Sequence, residues 1–227
     1  MTITRTRIDF DSKNGEHIHG DLAVPTGEGK APALLVIQEW WGVNDHVRSL
    51  VDRFAAAGFL ALAPDLYHGK TTKDPGEAMS LLQALDWKKA IEDVAGALAY
   101  LGRHPRSNGK TGITGFCMGG AVALASAAQL AELGAVVPFY GIPDAKTDFS
   151  RLNAPVLGHF AKKDTHITVA AAEALGQRLR DAGKRVEIQA YDADHAFMND
   201  TRPEVYNASE AKLAWERTLT FLHAQLG

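Results

Sequence analysis

The stretch that most constrains this chain is Gly115-Phe116-Cys117-Met118-Gly119-Gly120, which sets its single cysteine between a strand-like and a helix-like segment. Residues 110–114 are short and β-rich, and residues 121–128 are almost all alanine, valine and leucine. A G-x-C-x-G turn joining such segments bends so sharply that only small neighbours fit, and it leaves the central residue strained. The sulfur then stands at a helix N-terminus, where backbone N–H groups and the helix dipole favour a thiolate. A lone cysteine is otherwise most often a small buried hydrophobe. The flanking glycines and the strand-to-helix switch favour a nucleophile elbow, hence a cysteine hydrolase.

The bulk properties allow a domain large enough to carry such a turn. A chain of 227 residues with 46% hydrophobic content can bury one α/β core spanning residues 1–227. A net charge of -3 leaves no electrostatic footprint for nucleic acid or an anionic membrane. One cysteine forms no internal disulfide, so nothing requires an oxidising compartment. The first residues run from Met1 to Arg7 without a long apolar stretch, and no apolar run approaches the ~18 residues of a spanning helix. A cytoplasmic monomer acting on a small molecule is the expectation.

Two alternating segments, residues 4–10 and 17–24, flank a Ser-Lys-Asn-Gly turn and predict an antiparallel hairpin at a sheet edge. Short apolar or β-rich runs follow at residues 33–37, 59–63, 111–114, 135–139, 156–160 and 186–191, as for strands buried on both faces. Helical patterns at residues 45–57, 87–101, 119–133 and 169–182 separate most of them, and a last one covers residues 208–226 after the cap candidate Asn207. Gly58 and Gly183 stand where helices end. This alternation predicts a mostly parallel, doubly wound sheet with an antiparallel N-terminal edge and helices on both faces. The polar residues 69–76 read as a surface loop.

In such sheets ligands bind at the carboxyl ends of the strands. Four polar positions follow strands there: Glu39 with Trp40 and Trp41, then Cys117, Asp164 and His195. Nucleophile, acid and histidine in that order fit an α/β-hydrolase triad. Taken singly, Asp164 reads equally as a turn or cap residue and His195 as a loop histidine. Their common placement at strand ends beside the elbow favours the triad. His17 and His19 alternate on one face of the hairpin but have no third ligand of sensible placement, so no metal or other cofactor is implied. The aromatic residues Trp40, Trp41, Tyr67, Tyr140 and Phe197 all fall in strand-end loops, where they either pack the core or line an apolar pocket.

Gln38-Glu39-x-x-Gly42, Pro64-Asp65-Leu66-Tyr67, the Gly-Phe-Cys-Met-Gly-Gly elbow, Tyr140-Gly141, Asp164 and His195 together resemble the dienelactone hydrolase, or carboxymethylenebutenolidase, family from about residue 18 onward. The resemblance implies the α/β-hydrolase fold, with Cys117 as nucleophile, His195 as its general base and Asp164 orienting the imidazole. It also implies an oxyanion hole from the backbone N–H groups of Met118 and Trp40. Glu39 is implied to contact the resting thiol. A carboxylate there opposes the thiolate by like-charge repulsion and protects the cysteine between turnovers.

The chain departs from the family at the two arginines that hold a substrate carboxylate. One region reads Lys73-Asp74-Pro75-Gly76, and the other position, four residues after His195, is Asn199. Lysine lacks the bidentate fork of arginine. A lactone or small carboxylic ester is therefore the expected substrate, met by Trp41, Tyr67, Tyr140, Phe197 and Asn199. The short chain leaves little room for a lid, which favours small substrates over long acyl chains. A non-catalytic receptor or thiol redox sensor on the same fold is the competing class; within enzymes, a thioesterase or peptidase.

Overall fold

A computed structural model describes residues 3–227. An N-terminal hairpin, β1 (Thr4–Asp11) and β2 (His17–Val24), precedes β3 (Ala31–Ile37), α1 (Asp45–Ala56) and β4 (Leu60–Pro64). Two helices, α2 (Pro75–Ala84) and α3 (Trp87–Arg103), lead to β5 (Ser107–Phe116), α4 (Met118–Ala127) and β6 (Leu133–Phe139). The chain ends with β7 (Val156–Ala161), α5 (Val169–Asp181), β8 (Val186–Tyr191) and α6 (Ala208–Leu226). All eight strands join one sheet in the order β1-β2-β4-β3-β5-β6-β7-β8. β2 pairs antiparallel with β1 and β4, and the other pairs are parallel. The expected doubly wound sheet with an antiparallel edge is present.

Strand alternation builds the two core layers, because successive side chains of a strand point to opposite faces. Ala33, Leu35 and Ile37 of β3 pack with α3, α4 and α5. Leu34 and Val36 pack with α1 and α6. Both sets are fully buried, which is why these strands are continuously apolar. From β3 the chain moves outward to β4 and then returns across β3 to β5, so the loops after β3 and β5 diverge. That switch point opens a crevice at the strands' carboxyl ends, where Glu39, Trp40 and Cys117 emerge.

Three elements differ from the sequence-based expectation. The loop at residues 69–76 ends early, because Asp74 caps α2 by accepting from the Glu77 N–H and Pro75 takes the first helical turn. Ala78 of α2 is buried, and Leu81, Leu82 and the cap residue Leu85 pack partly buried against the core on the same face. α4 stops at Ala127 rather than continuing to residue 133, since residues 128–132 turn toward β6. β5 starts at Ser107, four residues before its apolar run, because its polar start still pairs with β3 at Ala31. The cap Asn207 forms as drawn from the sequence, accepting from the Glu210 N–H, and Asn44 likewise caps α1 by accepting from the Val47 N–H. Among the described residues no helix is long and apolar enough to cross a membrane.

Candidate active site

Cys117 caps α4 at φ +55° and ψ -118°, in the left-handed region that an L residue occupies only under constraint. Its N–H donates to Phe139 O at 3.0 Å, and its own carbonyl accepts from Gly120 N–H at 2.9 Å. Close approach of backbone to backbone explains two glycines here. A Cβ on Gly119 would lie 2.4 Å from Ile37 O, and one on Gly141 would lie 2.1 Å from Cys117 O. The elbow is thus wedged between the ends of β3 and β6, which hold the strained residue in place.

Asp164 and His195 meet across the ends of β7 and β8. Asp164 Oδ1 accepts from His166 N–H at 2.8 Å and Ile167 N–H at 2.9 Å, and its Oδ2 stands 2.5 Å from His195 Nδ1. Burial alone would raise this carboxyl, but the His195 bond and the two backbone donors hold it below its usual range. The imidazole is likewise pulled down by burial, yet the bond from Asp164 and the Cys117 sulfur outweigh this and push it up to about 10. Asp164 fixes Nδ1 as the protonated nitrogen, which leaves Nε2 for Cys117. The acid is wholly shielded, while the histidine keeps partial exposure toward the crevice.

Glu39 is buried beside this pair. Its Oε2 accepts from Asn199 Nδ2 at 2.8 Å, and its Oε1 lies 3.5 Å from the Tyr140 hydroxyl. The orientation of Asn199 is set by Thr201, whose N–H and hydroxyl both donate to Asn199 Oδ1, at 3.1 and 2.6 Å. Complete burial, with Glu39 and Cys117 close by, pushes the Tyr140 phenol well above its ordinary value, so it stays a donor.

The expected substrate contacts sort differently from the triad. Asn199 is 1% exposed and its amide is committed to Glu39, so it is a buried partner of that carboxylate rather than a wall of the opening. Phe197 and Tyr140 are fully buried and pack on each other at 5.6 Å between ring centroids. They form the floor behind His195, whose ring is 5.0 Å from Tyr140. Tyr67 turns its hydroxyl onto Met118 Sδ at 3.2 Å. Trp41 is buried under Arg202 and against Trp40, which is itself only half-buried. The sequence reading missed Thr201, whose two bonds to Asn199 make a local Asx turn, and Arg202, whose place over Trp41 depends on the loop after β8 folding back. His17 and His19 pair across the hairpin with Asp11 and Asp9, and no cluster of three metal-binding side chains occurs among the described residues.

Comparison with known proteins gives the family and the fold. Residues 18–226 match the model of the dienelactone hydrolase family. The protein usf of Aquifex pyrophilus is 33% identical, covering 96% of this chain and 98% of its own length. A Salmonella typhi protein whose name assigns it as a carboxymethylenebutenolidase is 37% identical over 88% of this chain and 79% of its own. Among solved structures, a Klebsiella pneumoniae protein assigned as a dienelactone hydrolase superposes with a TM-score of 0.85 at 32% identity, covering 97% of this chain and 98% of its own. A dienelactone hydrolase-like promiscuous phosphotriesterase from metagenomic libraries shares the fold, with a TM-score of 0.91 at 24% identity and full coverage of both chains.

Proposed function

This chain belongs to the dienelactone hydrolase family and is a hydrolase of the α/β-hydrolase fold, and we propose that it cleaves a lactone or small carboxylic ester through a Cys117–His195–Asp164 triad. The observation that carries this reading is the 2.5 Å contact between Asp164 and His195 beside the strained elbow. His195 Nε2 takes the thiol proton as Cys117 Sγ attacks the carbonyl carbon. The negative oxygen of the tetrahedral intermediate is held by the N–H groups of Met118 and Trp40. The intermediate collapses to a thioester as the alcohol leaves with the proton from His195. Water then attacks the thioester with His195 as base, releasing the acid and restoring the thiol. No cofactor enters these steps.

Glu39 opposes thiolate formation in the resting site by like charge. Asn199 and Tyr140 supply its hydrogen bonds, and this buried pairing supports a positioning role for Asn199. A single α/β-hydrolase domain acting as a cytoplasmic monomer completes the reading, and the lone free thiol suits a reducing compartment. The test is mass spectrometry of the protein quenched during turnover of p-nitrophenyl acetate. An acetyl adduct on Cys117, absent in Cys117→Ala along with hydrolysis, is expected. Full turnover by Cys117→Ala would refute the nucleophile, and a single equivalent of released alcohol without turnover would favour a receptor or thiol sensor.

A further inference from the structure

We propose that the free edge of β1 pairs antiparallel with β1 of a second copy of this chain, joining the two sheets into one. β1 ends the sheet, with β2 as its one strand neighbour among the described residues. Its sequence, Thr4-Arg5-Thr6-Arg7-Ile8-Asp9-Phe10-Asp11, carries two cations and then two anions at every second position. Side chains two apart share a face, and Arg5 shows which face this is, since it bonds to Asp52 of α1 at 2.8 Å. Ile8 and Phe10 lie on the other face and pack into the core beneath α3. The opposite sheet edge, β8, holds a single charge, Glu187, and has no such order.

The backbone of β1 is set for this pairing. Ser12 N–H donates to Glu16 O at 2.8 Å, and on β2 the His19 carbonyl turns away from β1 to accept from Asp65 N–H at 2.9 Å. Ladder bonds between β1 and β2 therefore use the even-numbered residues of β1, because bonded and unbonded pairs alternate along an antiparallel pair. The N–H and C=O groups of Arg5, Arg7, Asp9 and Asp11 point to the open edge. An odd-numbered residue must then face an odd-numbered one across a two-fold axis, and charge chooses among the registers. With Arg7 or Asp9 on the axis, that residue opposes itself. With Thr6 on it Arg5 opposes Arg7, and with Phe10 on it Asp9 opposes Asp11. Only Ile8 on the axis sets opposite charges throughout, Arg7 against Asp9 of the second copy and Arg5 against Asp11 of the second copy.

In that register Asp9, which already faces His19 across the hairpin, meets the exposed Arg7 of the second copy on its open side. The half-buried Ile8 side chains meet on the axis, where an unbonded pair brings Cβ atoms to about 4.5–5.5 Å. α3 limits the extent of the ladder: a Cβ on Gly96 would lie 2.3 Å from Asp11 O, so the backbone bonds rest on Arg7 and Asp9. Charged edge strands ordinarily keep sheets from joining; here the order of the charges admits one partner in one register. β5, which ends at the elbow, lies well inside the sheet. Each copy therefore keeps its own site, the single chain remains the acting unit of the reading above, and pairing is a concentration-dependent step beyond it.

Sedimentation equilibrium from about 1 μM to about 1 mM covers the range in which so small a contact dissociates. In low salt the wild type should pass from the 24.5 kDa of one chain to twice that mass. Arg7→Asp and Asp9→Arg each set like charges opposite one another on both sides of the axis, and each should weaken the dimer by about tenfold or more. An equimolar mixture of the two variants brings opposite charges together again, as does the double variant Arg7→Asp/Asp9→Arg, and both should dimerise. The substituted positions are exposed; if Asp9→Arg, which loses its His19 partner, fails to fold by circular dichroism, Arg7→Asp decides the matter. A wild type that stays a single chain up to about 1 mM overturns the proposal. So does a dimer that survives Arg7→Asp undiminished, which places the interface elsewhere, or one that neither the mixture nor the double variant restores.

Discussion

Replacing Asp164 with asparagine perturbs the site at its most buried member and with the least change of shape. The wild-type carboxylate accepts two backbone N–H groups and faces His195 Nδ1 at 2.5 Å. An asparagine carbonyl keeps the two backbone donors on Oδ1. Its NH2 then points at Nδ1, and two donors meet. The imidazole relieves this by moving its proton to Nε2, where it no longer accepts the thiol proton. The lost charge-assisted hydrogen bond is worth about 1.5–3 kcal/mol, roughly ten- to 150-fold in rate. The wrong tautomer adds to it, and the equivalent change in a serine-protease triad costs ~10⁴-fold in kcat. We expect a loss between 10³- and 10⁴-fold here, an estimate taken from that analogy. NMR should show why. Burial pulls the His195 imidazole down, but Asp164 and Cys117 push it to about 10 in the wild type. In the variant the Asp164 contribution is lost while burial and Cys117 remain, and the titration moves down from the wild-type position. Stability follows the same sign. A raised histidine pKa stabilises fully below about 6.5 and loses that contribution as pH rises through about 10. The lowered Asp164 pKa stabilises above its unfolded value of about 3.9 and is lost in acid. The advantage of wild type over Asp164→Asn should therefore peak between about pH 4 and 6.5 and decline toward pH 10. A rate loss below tenfold with His195 titrating alike in both proteins would refute the coupling.

Three further outcomes are expected. Glu39→Gln should raise the rate at which iodoacetamide alkylates Cys117 in the absence of substrate, and a rate that falls or stays constant would remove the shielding role. Gly141→Ala should lower the melting temperature and the activity together, since its Cβ would lie 2.1 Å from Cys117 O. Overpacking of this kind costs about 1–3 kcal/mol or more, whereas Gly102→Ala in α3, where a Cβ meets nothing within 4 Å, should be neutral or mildly stabilising. A neutral ester should be hydrolysed at least as well as a carboxylated lactone of similar size, because two charge-assisted anchors of about 1.5–3 kcal/mol each are missing; a strong preference for the carboxylated lactone would contradict this.

What the sequence made legible was whatever repeats or sits next to its own cause. Ala33 to Ile37 announces a strand buried on both faces because every position is apolar. The elbow is readable because its glycines and its cysteine are neighbours, and Asp164 and His195 because each directly follows a strand. The helix α2 went unread although its signals are local: Asp74 and Pro75 start it, and Ala78, Leu81, Leu82 and Leu85 repeat at i, i+3, i+4 and i+7 against the core. The contact between Glu39 and Asn199 spans 160 residues, and nothing local to either residue records it.

That contact changes what the missing arginine means. Position 199 looked like a substrate anchor reduced from a cation to an amide. In the folded chain it is closed to substrate, with Thr201 holding one side of the amide and Glu39 the other. A neutral donor there fixes the carboxylate without adding a positive charge to the crevice. The nearest cation along the loop, Arg202, is spread over Trp41 and bonded to Glu204 at 2.8 Å, so its charge is already partnered. A substrate carboxylate approaching Cys117 would then meet the Glu39 charge with no arginine to offset it. An uncharged ester does not meet this difficulty. The buried Glu39 charge and the lack of a free arginine beside it select an uncharged molecule.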